Sequence, residues 1–196
     1  MILACRILLP ALMLGTLVLP AGADPVAPAW LEVLMQRMAA MPGRQVDFVE
    51  QKRLAVLNQP LISRGRLVYQ RPSYIAKITT GAEPETLIAD GDRVSVTIGG
   101  GAARVLPLAS VPAVAGLVDG IRSALAGDLP ALQRAYRVTS QGDLRDWRLI
   151  LAPLAQPVAT VVRSVTIEGT DTDVRAVQIV QANGDEQDMT LSPARQ

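Results

Sequence analysis

Apolar residues recur along the chain first at helical spacing and then at every second position. A first helix is predicted over residues 28–41, where a stripe of apolar side chains repeats every three or four positions before Pro42-Gly43. The stripe consists of Trp30, Leu34, Met38 and Met41. Apolar and polar residues then alternate, which is typical of half-buried strands. The alternating runs are 46–52, 64–70, 74–79 and 94–98.

Glycine-containing turns separate these runs, and a helical insert interrupts them. Asp90-Gly91, Gly99-Gly100-Gly101 and Asn183-Gly184 are hairpin signals, so neighbouring strands should be antiparallel. Over residues 111–135 the alternation stops and two helices are predicted, the second with Asp128 as its N-cap. Strands resume at 136–140, 147–151, 161–168, 174–180 and 187–191. This order predicts a mainly β (α+β) fold, in which helices lie across one face of a curved antiparallel sheet.

The insert carries the apolar stripe of a helix that could close over the sheet. Its members are Val114, Leu117, Val118, Ile121 and Leu125. A packed core beneath this helix and a cavity beneath it are both compatible with the pattern. Gly116, Gly120 and Gly127 favour the cavity, because each weakens a helix by about 1 kcal/mol relative to alanine and a moving lid tolerates that weakness.

The amino terminus has the pattern of a secretory signal over residues 1–23. Arg6 precedes a short apolar run that ends in Ala21-Gly22-Ala23, and the run is too short for a membrane span. Cleavage is expected after Ala23, with Ala29 as the alternative. The remaining residues, 24–196, are predicted to form a single soluble domain without an anchor, and the sole cysteine, Cys5, leaves with the signal.

Charge and composition narrow the possible functions. Loss of Arg6 leaves the basic residues equal in number to the 18 acidic ones, which argues against a nucleic-acid partner. The sequence contains no histidine, so histidine-dependent catalysis and histidine metal sites are excluded. The carboxylate pairs Asp90/Asp92 and Asp171/Asp173 lie in turn sequences. We therefore expect no enzyme, no metal and no cofactor.

Three short motifs in order resemble the LolA family of periplasmic lipoprotein carriers. They are Phe48-x-x-Gln51, then Gly65-x-Leu67-x-x-x-Arg71-Pro72, then Leu87-Ile88-x-Asp90-Gly91. The insert 125–129 and the strand Trp147-x-Leu149-x-Leu151-x-Pro153 resemble a diverged branch of this family. The likeness extends from Trp30 to Leu191.

The resemblance implies an incomplete β-barrel closed by a helical lid over a hydrophobic cavity that takes up acyl chains. By this resemblance the stripe of the insert is the lid and Arg71 is the latch that hydrogen-bonds it. The expected cavity lining is Phe48, Leu67, Tyr69, Tyr74, Ile78, Leu87 and Val96. The implied partners are an acylated lipoprotein or another acyl lipid, an inner-membrane donor complex and an outer-membrane receptor. A monomer in the Gram-negative periplasm is expected.

Two questions stay open at this stage. Aliphatic residues stand where the family's cavities are rich in aromatics and methionine, so the cargo could be a free or esterified fatty acyl or polyene lipid instead of a lipoprotein. The alternative function is a periplasmic lipid- or protein-sensing interaction module with the same fold and no transport role. An enzyme acting on a lipid is the third hypothesis, and no nucleophile–base pair supports it.

Overall fold

Eleven strands form one antiparallel sheet in the computed structural model, which describes residues 27–194. The predicted signal, 1–23, lies outside the described residues. The strands are β1 (Gly43–Arg53), β2 (Leu61–Gln70), β3 (Tyr74–Thr80), β4 (Glu85–Asp90), β5 (Arg93–Ile98), β6 (Arg104–Pro107), β7 (Tyr136–Asp143), β8 (Asp146–Pro153), β9 (Val162–Thr170), β10 (Asp173–Gln181) and β11 (Glu186–Pro193). The helices are α1 (Ala29–Ala40), α2 (Pro112–Ala126), α3 (Leu129–Ala135) and α4 (Gln156–Ala159).

The sheet is not closed into a barrel. Its strand order is β6-β5-β4-β3-β2-β1-β11-β10-β9-β8-β7, so β6 and β7 are its two edges. The first and last strands of the chain meet in the middle, where Phe48 of β1 pairs with Leu191 of β11. The mainly β prediction with an antiparallel sheet and helices is confirmed. The short elements β6 and α4 were not predicted, because four residues are too few to show a period.

The first helix presents a different stripe from the one predicted. The side chains of α1 that are buried are Leu31, Leu34, Met35 and Met38. Trp30 is only partly buried and Met41 lies beyond the end of the helix. The helix therefore buries two adjacent rows and not the single row read from the sequence, as expected of a helix with a broad apolar face.

The predicted start of α3 is confirmed. The Asp128 carboxylate accepts a hydrogen bond from the Ala131 amide at 2.9 Å, which satisfies one of the free donors of the first turn. Gly127, just before it, ends α2 with φ of +70°, a conformation that favours glycine. No helix within residues 27–194 is long and apolar enough to cross a membrane.

Two packed clusters flank the middle of the sheet. The larger one joins α1, α3 and α4 to strands β7–β9, with Trp147 and Leu149 among its most buried members. The smaller one joins α2 to β4 and β5 through Val118, Ala89 and Val94. Between these clusters the inner face of the sheet, the face covered by the helices, is not filled.

The glycines of α2 have a packing role that the sequence interpretation did not foresee. A Cβ at Gly116 would lie 2.2 Å from Val158 of α4, and one at Gly120 would lie 2.4 Å from the ring of Tyr136. A Cβ at Gly127 would lie 2.0 Å from the Met35 carbonyl oxygen of α1. Close packing therefore explains these glycines, since close approach requires them, and they do not by themselves favour a cavity.

Candidate functional site

An apolar cavity of about 350 Å³ lies between the inner face of the sheet and α2. Most of its wall is Val, Leu and Ile from the middle strands and from the helix. Strand residues of the wall include Val46, Leu67, Tyr69, Ile75, Leu87, Ala89, Val165, Ile167, Val174, Val177, Ile179, Met189 and Leu191. Its volume is at the lower end of the roughly 300–1,000 Å³ of small-molecule sites.

The helix α2 contributes the stripe predicted from the sequence to this wall. Its cavity-lining residues are Val114, Leu117, Val118, Ile121 and Leu125. The opposite side of the helix carries the small residues that pack against α4, β7 and α1. One side of α2 carries small residues and packs tightly, whereas the other side carries larger apolar residues and faces the cavity.

Three of the strand residues predicted to line the cavity do so, and four do not. The lining residues are Leu67, Tyr69 and Leu87. Phe48 is buried on the same face, but the ammonium of Lys77 lies 5.3 Å from its ring centroid and covers it. Val96 pairs with Leu87 and shares its face, but the wall ends at β4, one strand earlier.

The other two predicted lining residues, Tyr74 and Ile78, are corrected to the outer face of β3. Ile75 and Lys77 of the same strand line the cavity, and side chains alternate between faces along a strand. Both faces of β3 carry apolar residues, so alternation alone did not reveal which face points inward.

Arg71, at the end of β2, connects the sheet to two helices. Its Nη1 donates to the Ala39 carbonyl at 2.7 Å and, at a longer 3.4 Å, to the Ala126 carbonyl. These carbonyls belong to the last turns of α1 and α2, whose acceptors have no partner within the helix. A guanidinium there also favours the negative end of both helix dipoles.

A charged cluster in the cavity wall escaped the sequence interpretation. Glu50 of β1 is only 1% exposed, and its carboxylate accepts hydrogen bonds from Lys77 Nζ at 2.6 Å and from Ser63 Oγ at 2.9 Å. Lys52 Nζ lies 3.6 Å from the same carboxylate. Glu50 and Lys52 lie an even number of residues after Val46, so alternation places all three on the inward face of β1. This spacing is the signal by which the sequence could have revealed the cluster.

The electrostatics of this cluster keep Glu50 ionised. Burial on its own would raise the pKa of Glu50, but the hydrogen bond and positive charge of Lys77, together with Lys52 and Ser63, outweigh it. The pKa of Glu50 is therefore lowered from its ordinary value. Two ammonium groups share one carboxylate, so this part of the wall has a net positive charge.

A family model described as outer membrane lipoprotein carrier protein LolA-like matches residues 23–196. The chain belongs to this LolA-like family. The resemblance read from the sequence motifs is thereby confirmed. No curated protein matches the chain significantly.

Two solved structures of low sequence identity resemble this LolA-like chain. One is a LolA superfamily protein from Nitrosomonas europaea, with a TM-score of 0.43 and 8% identity over 86% of this chain and 95% of that one. The other is a domain described as outer membrane lipoprotein-sorting, from Vibrio parahaemolyticus, with a TM-score of 0.43 and 11% identity over 84% and 91%.

Proposed function

We propose that this protein is a periplasmic carrier that binds acyl chains of lipoproteins or related lipids and shuttles them toward the outer membrane. The apolar cavity beneath α2 is the observation that carries the proposal. Membership of a family described as lipoprotein carriers supports it, as does the predicted secretory signal. The proposed role is binding and transfer, without catalysis.

Apolar burial supplies the affinity for the cargo. Each methylene removed from water contributes about 0.8 kcal/mol, so one long acyl chain offers more than roughly 10 kcal/mol before the costs of binding. The aliphatic wall of the cavity provides the apolar surface, and the cargo would displace the side chains of α2 from their closed positions. Binding this strong creates a problem of release.

The proposed role of Arg71 is to solve this problem. Its hydrogen bonds to Ala39 and Ala126 stabilise the closed arrangement, in which α1 and α2 are held to the end of β2. A closed state that competes with cargo lowers the net affinity and makes transfer possible. Handover would pass from an inner-membrane donor complex to an outer-membrane receptor.

Native mass spectrometry of the protein purified from the periplasm tests the proposal. We expect bound acyl species in the wild type and their loss in Leu117→Asp, which places a charge in the cavity wall. Val161→Asp is the matched control, because Val161 is 47% exposed and lies outside the cavity wall. A wild type that is always empty, and that binds no acyl probe in solution, would favour the interaction-module alternative and contradict carriage.

A further inference from the structure

We propose that the cavity recognises single-chain lipids with an anionic head group, which Lys52 and Lys77 bind at its mouth. The inference rests on the proposed function, because it specifies the class of lipid that an acyl-binding cavity would accept. We define the mouth as the end of the cavity at Lys52, Lys77 and Glu85, where Glu85 is exposed and both lysine side chains are partly exposed.

Both lysines of the sequence lie in this one wall. The chain has only two lysines, all its other basic residues being arginines, and each lysine lines the cavity beside Glu50. Ion pairs on the outer surface, such as Arg148 with Glu168, use arginine. An ammonium is a compact charge with three rotatable donors, so Lys77 can keep its bond to Glu50 and still donate to a ligand.

The charge of the wall favours an anion. Glu50 compensates one of the two ammonium groups and leaves one positive charge in excess. Glu85, at the same end as the lysines, is exposed, so solvent screens its charge, and Arg44 lies at the other end of the wall. The Arg44 guanidinium already donates to the Thr172 carbonyl, whereas the lysines lie at the more open end.

An acyl tail alone would gain nothing from these charges. Partial burial of charged groups costs free energy, and an apolar residue of similar size at each position would suit a purely hydrocarbon ligand better. The cluster is therefore explained by a ligand with a polar end. The side chains of Lys77 and Lys52 are 23% and 34% exposed, whereas Tyr69 and Ala89 at the other end are 3% and 0% exposed. The head group would lie at the lysines with the tail pointing inward.

The dimensions of the cavity fit one chain. Along β1, the six residue-to-residue steps from Arg44 to Glu50 span about 20 Å at 3.3 Å per step. The acyl chains of one leaflet occupy about 15 Å, half of the hydrocarbon core of a bilayer. A cavity of about 350 Å³ is small even for one drug-sized ligand, so three chains would not fit this closed arrangement.

Binding of lipids with the same tetradecyl tail and different head groups tests the inference. The probes are myristate, 1-myristoyl lysophosphatidate and neutral 1-monomyristin, each titrated calorimetrically at low and high salt below its micellar concentration. We expect at least one anionic lipid to bind about fivefold more tightly than monomyristin at low salt, with the advantage reduced by salt. The preferred anion, carboxylate or phosphate, identifies the source of the head group.

A lysine variant and a matched control locate the effect. Lys52→Gln should abolish most of the preference for the anionic lipid over monomyristin, and the Glu50–Lys77 pair persists in this variant. Arg53→Gln is the matched control at the adjacent position. It removes the same charge from the outer face, where Arg53 pairs with Asp188 and Glu186, and it should retain the preference for the anionic lipid.

Isotopic labelling provides a direct readout at the site. Reductive methylation with ¹³C-formaldehyde keeps the charge and labels the two lysines and the amino terminus, and Lys52→Gln assigns their signals. Both lysine signals should shift more with the preferred anionic lipid than with monomyristin. Equal binding of all three lipids, or a preference that survives Lys52→Gln, would overturn the inference and leave the carrier proposal standing. Failure of every acyl lipid to bind would overturn both.

Discussion

Replacement of Arg71 by leucine tests whether the closed lid competes with cargo. The substitution removes one good hydrogen bond to Ala39, a marginal one to Ala126 and a cation at two helix ends. A bond from a charged donor contributes about 1.5–3 kcal/mol, and exposure of this site reduces it toward the lower limit. We therefore expect the closed state to lose about 1.5 kcal/mol, which corresponds to about a tenfold rise in the open population.

The consequences are opposite for binding and for transfer. If only the open state admits cargo, Arg71→Leu should bind a fluorescent acyl probe about tenfold more tightly and release it to acceptor vesicles correspondingly more slowly. Arg66→Leu is the matched control on the same strand, because its ion pair with Asp47 is remote from the helices. Unchanged affinity and unchanged transfer rate in Arg71→Leu would refute the role of this arginine as a latch.

Three further predictions concern the buried groups of the sheet. Glu50→Gln should destabilise the protein by about 1–3 kcal/mol at neutral pH in urea unfolding. The pKa of Glu50 is lowered in the folded state from its ordinary value of 4.5. The greater stability of the wild type should therefore be complete above pH 4.5 and disappear as pH falls through the lowered pKa. Gly65→Ala should cost roughly 3 kcal/mol or more in the same assay, since its Cβ would lie 1.9 Å from the Ile78 carbonyl oxygen, whereas Gly101→Ala, with its closest atom at 3.2 Å, should be mild. Burial, with a smaller contribution from a nearby carboxylate, raises the pKa of Tyr136 to about 12. The stabilisation by the protonated hydroxyl should be complete below pH 10 and lost as pH rises through about 12. Ultraviolet titration of the wild type and of Tyr136→Phe would measure this pKa.

The sequence pattern was sufficient for the long elements because their periods are unambiguous. Asp90-Gly91 and Asn183-Gly184 lie in the predicted hairpin turns, between β4 and β5 and between β10 and β11. The period of two also separates the two faces of each strand. It does not say which face is inside when both carry apolar residues, and this is why Tyr74 and Ile78 were assigned to the wrong side of β3.

Polar residues did not resolve that ambiguity. Lys77 shares its face with Ile75, and Glu50 shares its face with Val46, so a polar residue in phase with the buried set was visible in both strands. Such residues are usually interpreted as solvent-exposed, because burial of a charge requires a partner that sequence spacing does not show. Glu50 and Lys77 lie on strands separated by β2, and only the sheet order brings them together.

The contacts of α2 indicate which parts of the molecule would separate if the proposed cargo entered beneath it. One side of the helix is held by buried contacts: the Tyr136 hydroxyl donates to the Gly116 carbonyl at 2.9 Å, and Gly127 packs against α1. Among the other connections, Arg71 bonds both helices at the surface, whereas Val118 packs against Ala89 and Val94 in the smaller buried cluster. Water can replace the surface bonds at little cost but cannot reach the buried ones without disrupting the core. We therefore expect α1 and α2 to stay with β7 and to separate first from the end of β2. Both acceptors of Arg71 lie on the side that moves away, so this one residue acts on the whole opening and not on a single helix.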